Sequence, residues 1–208
     1  SQSLFEGYAR NGVEQRLFIL SRSGTAGSQR LGAAMWSGDI GSNRTSLAAH
    51  FNAQMHMSFS GMDYYGTDIG GFHRGGLEGN TMLKANLDEM YTQWFAYGAL
   101  FDVPVRPHTE NLCNCKETAP DRIGDAQANL DALRLRYALI PTLYSLAHRA
   151  YLAGEAVYPP LAMVFPQDDA ALTIGDQKMI GPGLMAAVGA KLNLQKRDVY
   201  LPAGTWFD

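Results

Sequence analysis

The stretch that decides the fold runs from Ala33 to Asp68 and reads "AAMWSGDIGSNRTSLAAHFNAQMHMSFSGMDYYGTD". It opens on a short apolar run, Ala33–Trp36, that reads as a strand and ends at Ser37-Gly38-Asp39. Leu47, Phe51, Met55 and Phe59 then recur every four residues, the spacing that lines one face of a helix. Ser42 or Thr45 is placed to cap that helix, and Gly61 to end it. Met62 to Tyr65 resumes a strand-like run that closes on Gly66-Thr67-Asp68. Two strands flanking a helix, each followed by glycine and an acid, imply a parallel sheet with crossover helices.

The alternation extends in both directions. Arg16 to Ser21, "RLFILS", reads as a buried strand, and the glycines and serines of "SRSGTAGSQRLG" make a loop after it. Downstream, a glycine-rich loop from Gly70 to Gly79 leads to Asn80, a candidate cap for a helix carrying Leu83, Leu87, Met90, Trp94 and Tyr97. Val103 to Arg106 is a fourth candidate strand, interrupted by Pro104. Asp125 to Ala153 is the longest helical pattern, with Leu130, Leu133, Tyr137, Ile140, Tyr144 and Ala147 on one face. Pro141 is expected to kink or divide it, and Gly154 to cap it. After residue 154 the chain turns to short apolar pieces broken by Pro and Gly, an all-β pattern. "VYLPAGTWFD" reads as a hairpin turning at Ala203-Gly204.

The polar residues of interest follow the strand ends: Arg22, Asp39, Asp68, then Arg106 and His108. In a (β/α)8 barrel that end of the strands is the catalytic face. The visible units, near residues 17, 33, 62 and 103, make half of such a barrel.

Composition excludes some partners. The net charge is -3 over 208 residues with no run of Lys or Arg, which argues against nucleic acid. No stretch approaches ~18 uninterrupted apolar residues, so no membrane span is expected, and "SQSLFEGYAR" lacks the pattern of a signal peptide. Cys113 and Cys115 are too close for an unstrained disulfide and lack companion ligands, so they read as free loop thiols, with no metal or cofactor implied. Scarce cysteine favours a reducing, cytoplasmic compartment. The 22 glycines and 11% aromatic content suit sugar recognition, and equally an ordinary α/β enzyme.

Taken singly, each polar residue has two readings. Asp39, beside Trp36 and Gly38, is either a desolvated general acid or a helix-capping loop residue. Asp68, in "GTDIGGF", belongs either to a pocket walled by Phe72 or to a turn; the double glycine would let backbone approach a ligand. Arg22 and Arg106 pair with carboxylates as structural ties or as site scaffolding. His108 contacts a ligand hydroxyl or hydrogen-bonds within the fold. Four successive strand ends bearing such residues favour one pocket for a polyhydroxyl ligand.

Together "ILSRS", "GSQR…MWSGD", "GMDYYGTDIGGF" and "RPH" resemble glycoside hydrolase family 31, the α-glucosidase and α-xylosidase family. "LRLRYALIPTLYSLAHRAYLAGEAVYPPL" and "VYLPAGTWFD" extend the resemblance over nearly the whole chain. It implies Asp39 as general acid/base, and Asp68 as a ligand of the hydroxyls of the sugar at the cleaved end. Arg22 and His108 would contact the same sugar, Trp36 would wall its subsite, Phe72 would lie toward the leaving group, and Arg106 would orient its acidic neighbours. The implied substrate is an α-linked oligosaccharide or glycoside, and the implied chemistry is retaining.

The sequence also departs from the family. The nucleophile motif, of the kind W-x-D-M-N-E, is absent, and neither Asp63 nor Asp68 replaces it. The opening residues look like the helix before a mid-barrel strand. The expectation is therefore the C-terminal half of a (β/α)8 barrel over 1–154, followed by the start of an all-β domain over 155–208. On this reading the isolated chain is inactive and associates through exposed half-barrel edges. Arg44 stands where the family often has an aromatic, and "YPPL" replaces M-R-P-L, which bears on subspecificity. The same pocket would serve an α-transglycosylase or α-glucan lyase; a non-catalytic sugar-binding half-barrel is the reading from another class.

Overall fold

The computed structural model describes residues 1–74, 81–111 and 116–208. Asn80, the Leu83 side chain, Cys113 and Cys115 fall outside the described residues. Helix α1 (Gln2–Arg10) leads to strand β1 (Ile19–Ser21), and a 3-10 turn separates β1 from β2 (Ala33–Trp36). Helix α2 (Arg44–Phe59) connects β2 to β3 (Tyr65–Gly66). Two long helices follow, α3 (Thr81–Phe101) and α4 (Ala126–Ala153), then one-turn α5 (Leu161–Val164) and strands β4 (Gln177–Ile180) and β5 (Leu184–Ala187).

β1, β2 and β3 form a parallel sheet in that order, with Ser21 opposite Met35 and Trp36 opposite Gly66. The expected fourth strand is reduced to a parallel bridge between Asp68 and Arg106. Pro104, lacking an amide hydrogen, interrupts the ladder just where a strand would form. The segment still lies along β3: Val103 N–H donates to Tyr65 O at 3.4 Å and Ile69 N–H to Arg106 O at 3.0 Å.

Leu47, Phe51 and Met55 bury the expected face of α2 against Trp94, Tyr97 and Phe101 of α3, while Phe59 is exposed. Each such side chain contributes roughly 1.5–3 kcal/mol on burial. The cap is Asn43, whose side chain accepts from Ser46 N–H at 2.8 Å, instead of Ser42 or Thr45. Ser42 is taken up elsewhere, its hydroxyl donating to Gly70 O. At the other end Gly61, at φ 74°, lets Gly61 N–H reach Ser58 O and Met62 N–H reach Met57 O, closing the helix.

α4 is one undivided helix through Pro141, capped by Asp125 and ended by Gly154 at φ 70°. Pro141 lies on the exposed side of the helix. The packed side carries Leu133, Leu139, Leu143, Leu146 and Ala150, whereas Leu130, Tyr137, Ile140 and Tyr144 of the expected face are exposed. Apolar residues occur around much of this helix, and only one stripe meets α3 and the C-terminal segment.

That segment contains an antiparallel hairpin, β4–β5, turning at Gly181 and Gly183, together with α5. Residues 199–208 form no hairpin; Gln177 holds Tyr200 by its backbone, and Trp206 Nε1 donates to Pro202 O. Among the described residues no helix is long and apolar enough to cross a membrane.

Candidate active site

The loops after β2 and β3 are stitched together. Phe72 and His73 N–H both donate to Ile40 O, and Ser42 N–H donates to His73 O at 2.9 Å. Gly71, at φ 84°, makes this possible, because a Cβ there would sit 2.5 Å from Ser42 Cα. A Cβ on Gly70 would meet Tyr91 at 2.8 Å. The double glycine thus serves close approach within the protein.

Asp39 and Asp68 consequently stand side by side, each with its own arginine. Arg22 Nη2 lies 3.1 Å from Asp39 Oδ2, and Arg106 Nη1 lies 3.2 Å from Asp68 Oδ1. Both guanidinium groups face the Trp36 ring, Arg106 at 5.1 Å and Arg22 at 6.0 Å. Gly38, at φ 74°, leaves room for Arg22, whose Nη2 is 3.3 Å from where a Cβ would be.

The two acids differ in setting. The Arg22–Asp39 pair is solvent-accessible, with side chains 60% and 36% exposed, and is worth little to stability. Asp68 is 1% exposed. Arg106 is within ion-pair range but off the hydrogen-bond line, and neither Asp68 oxygen accepts a hydrogen bond from the described residues. Burial raises the Asp68 pKa to about 6, Arg106 opposing and Asp39 adding to the rise. A buried carboxylate in this state has unused acceptor capacity.

Phe72 and His108 form the next part of the surface, their rings 5.6 Å apart. Burial, then Arg106, lowers the His108 pKa while Asp39 opposes, so its imidazole is neutral at pH 7. A cavity of about 530 Å³ begins here and is lined by Phe72, His108, Thr109, Glu110, Asn111 and Thr118. Its lining includes neither Asp39 nor Asp68, so this cavity lies to the side of the acids. All seven residues singled out in the sequence therefore fall in one region: Arg22, Trp36, Asp39, Asp68 and Arg106 as a cluster, Phe72 and His108 beside it.

A profile of the glycosyl hydrolases family 31 TIM-barrel domain matches residues 1–146, and one of the glycosyl hydrolase family 31 C-terminal domain matches residues 154–208. The chain belongs to glycoside hydrolase family 31. The alpha-xylosidase of Saccharolobus solfataricus is 32% identical over 209 residues, covering 100% of this chain and 27% of the relative. The 1,6-alpha-glucosyltransferase of Sporosarcina globispora is 32% identical over 220 residues, covering 100% of the chain and 16% of the relative. The lysosomal alpha-glucosidase of Bos taurus is 34% identical over 197 residues, 93% of the chain and 19% of the relative. Among solved structures, the GH31 alpha-xylosidase of Xanthomonas citri superposes with a TM-score of 0.85 at 33% identity, over 97% of this chain and 22% of that one. The dextranase of Flavobacterium johnsoniae, solved with glucose, gives 0.81 at 25% identity over 98% and 25%. The chain spans less than a third of the length of these family 31 relatives.

Some site-bordering residues escaped the sequence reading. Asp102 is fully buried and takes the Thr67 amide at 3.2 Å, and Ser37 donates to Thr67 Oγ1 at 3.1 Å. The signal was an acid at the end of an apolar helix, two residues before Pro104. Asp63, excluded as a nucleophile, turns out to accept the amides of Val157 and Tyr158 at 2.8 and 3.1 Å.

Proposed function

We propose that this chain supplies the acid/base and much of the sugar-binding surface of a retaining α-glycosidase. The observation that carries this is the pairing of an accessible, arginine-held Asp39 with a buried Asp68 whose oxygens accept no hydrogen bond from the described residues, the arginines of both facing Trp36. Asp39 protonates the departing glycosidic oxygen and then deprotonates the water that releases the sugar. Asp68, steadied by Arg106, accepts hydroxyl hydrogens of the sugar at the cleaved end. Trp36 packs on that sugar, neutral His108 and Arg22 contact its hydroxyls, and Phe72 borders the leaving group. The nucleophile must be a second carboxylate about 5–5.5 Å from the first. We assign it to polypeptide outside these 208 residues, in the remaining strands of a barrel whose later half is represented here.

The test is Asp39→Asn in a protein carrying the complete barrel. Turnover of an alkyl α-glycoside, a poor leaving group, is expected to fall about 10²–10⁴-fold, the usual worth of general acid catalysis. An activated aryl glycoside should lose far less in its first step. Near-normal turnover of the alkyl glycoside refutes the role of Asp39. The 208-residue chain alone is expected to show no turnover and to elute as an associated species in size-exclusion chromatography, because β1 has no partner on its outer edge among the described residues. Turnover by a monomeric chain refutes both.

The similarity to a 1,6-glucosyltransferase supports transfer as a second reading, in which an acceptor sugar replaces water in the second step. Transfer products formed in preference to free sugar at low acceptor concentration would establish it.

A further inference from the structure

Beneath the two acids lies a polar layer that the proposed chemistry does not use. Amides along β3 and its continuation should find carbonyls on the neighbouring segment, as Ile69 N–H does with Arg106 O. Between Val103 and Arg106 the partner segment forms no regular ladder, and the carbonyl of Pro104 lies against Gly66, 2.6 Å from where a Cβ would be. The Thr67 amide, wholly buried, falls at this gap and donates to Asp102 Oδ2 instead, at 3.2 Å. Asp102 Oδ1 is held by His50 Nε2 at 3.2 Å and by Gln54 Nε2 at 3.4 Å. Thr67 in turn accepts from the Ser37 hydroxyl, and Ser37 N–H donates to Gly66 O at 3.1 Å. Ser37 is two residues before Asp39, and Thr67 is one before Asp68.

We propose that Asp102 is a positioning residue for the reaction: its carboxylate replaces a missing ladder carbonyl and sets the heights at which β3 presents Asp68 and β2 presents Asp39. The proposal rests on the α-glycosidase reading for its catalytic consequence, but its structural half is independent of it. His50 and Gln54 fix the carboxylate, and Thr67 and Ser37 carry its position to both strand ends.

Two substitutions separate positioning from simple core filling. Asp102→Asn retains an acceptor for Thr67, and His50 can present its other tautomer to the new amide. Asp102→Leu removes the acceptor at similar volume, and Asp102→Ser, whose hydroxyl falls short, is the second variant should the first not fold. In the full-length protein, the Thr67 amide of Asp102→Leu or Asp102→Ser is expected to exchange hydrogen at least about tenfold faster relative to core amides of α2. The value of kcat/KM per folded molecule is expected to fall about 100-fold, the scale of a 1 Å misplacement. Asp102→Asn is expected to remain within about threefold of wild type in both measures. A merely structural aspartate lowers the folded fraction and leaves kcat/KM per folded molecule unchanged; that result overturns the proposal, as does Asp102→Asn losing as much as Asp102→Leu. Wild-type protein inactive on every α-glycoside, with Thr67 exchange still accelerated in Asp102→Leu, overturns the proposed function and supports the hold of Asp102 on β3.

Discussion

Asp68 combines burial with unused acceptor capacity, and both have measurable consequences. With its pKa at about 6 against an ordinary 3.8, the folded protein holds this proton where the unfolded chain has lost it. The stability due to this group therefore declines as pH rises from about 4 through 6, and the ionised carboxylate at neutral pH is kept at the expense of stability. Such a cost is expected where a charge is held ready for a ligand. If the ionised form is the one that accepts sugar hydroxyls, kcat/KM has an acid limb with an apparent pKa near 6. Asp68→Asn is expected to lower kcat/KM by roughly 10²-fold and to remove that limb. An unchanged limb in the variant would assign it to another group. Arg106 is the control on this argument, since its charge opposes the shift; replacing it with Met should move the limb upward.

At the level of elements, the strand–helix–strand unit from Ala33 to Asp68 was legible because hydrophobic spacing and glycine position agree there. β2 occupies the expected Ala33–Trp36, and Gly61 ends α2 as foreseen. Three features were not legible, each for a physical reason. The stripe of α4 that packs is decided by its neighbours, since apolar residues surround the helix. The interruption of the fourth strand at Pro104 could be read, but that the Asp102 side chain takes the Thr67 amide there could not. The function of Gly70 and Gly71 depends on Tyr91 and on Ser42, which no local pattern reveals. Gly71 gives the direct test. Gly71→Ala has to accommodate φ 84° and a clash with backbone at 2.5 Å, whereas Gly12→Ala has φ 62° and open space. Gly12→Ala is expected to lower stability by about 1 kcal/mol, the left-handed penalty alone. Gly71→Ala should exceed this by at least ~1–3 kcal/mol and displace the loop bearing Asp68. Equal costs in urea unfolding would show that the two loops are not locked together.

At the scale of the whole molecule, residues 1–146 and 154–208 match separate family profiles but share one interior. Val157, Tyr158 and Ile180 join Phe51 and Phe101 in the same apolar cluster. Polar ties reinforce it: Asp63 takes two amides of the C-terminal segment, and Ser58 donates to Tyr158 O at 2.8 Å. The most unusual tie is Lys178 on β4, fully buried, whose Nζ donates to Gln54 O at 3.1 Å and lies 5.8 Å from the Tyr158 ring. Burial lowers its pKa to about 7, with Asp63 and Asp102 only partly restoring the charge. Above that pH the unfolded chain still binds the proton, its own pKa being 10.5, so stability should rise with pH. Between pH 7 and 9 the gain is expected to be roughly 2 kcal/mol, since one differential proton is worth about 1.4 kcal/mol per pH unit. Tyr97 and Tyr158 stay protonated in this window because burial raises both phenols. Lys178→Met, which keeps the volume and removes the charge, should flatten the rise and leave the protein at least as stable at pH 7. Urea unfolding of both proteins at pH 7, 8 and 9 decides it. A rise of equal slope in the variant would mean that Lys178 keeps its proton in the folded state, and that the junction between the two domains is held by a charge and not by a neutral amine.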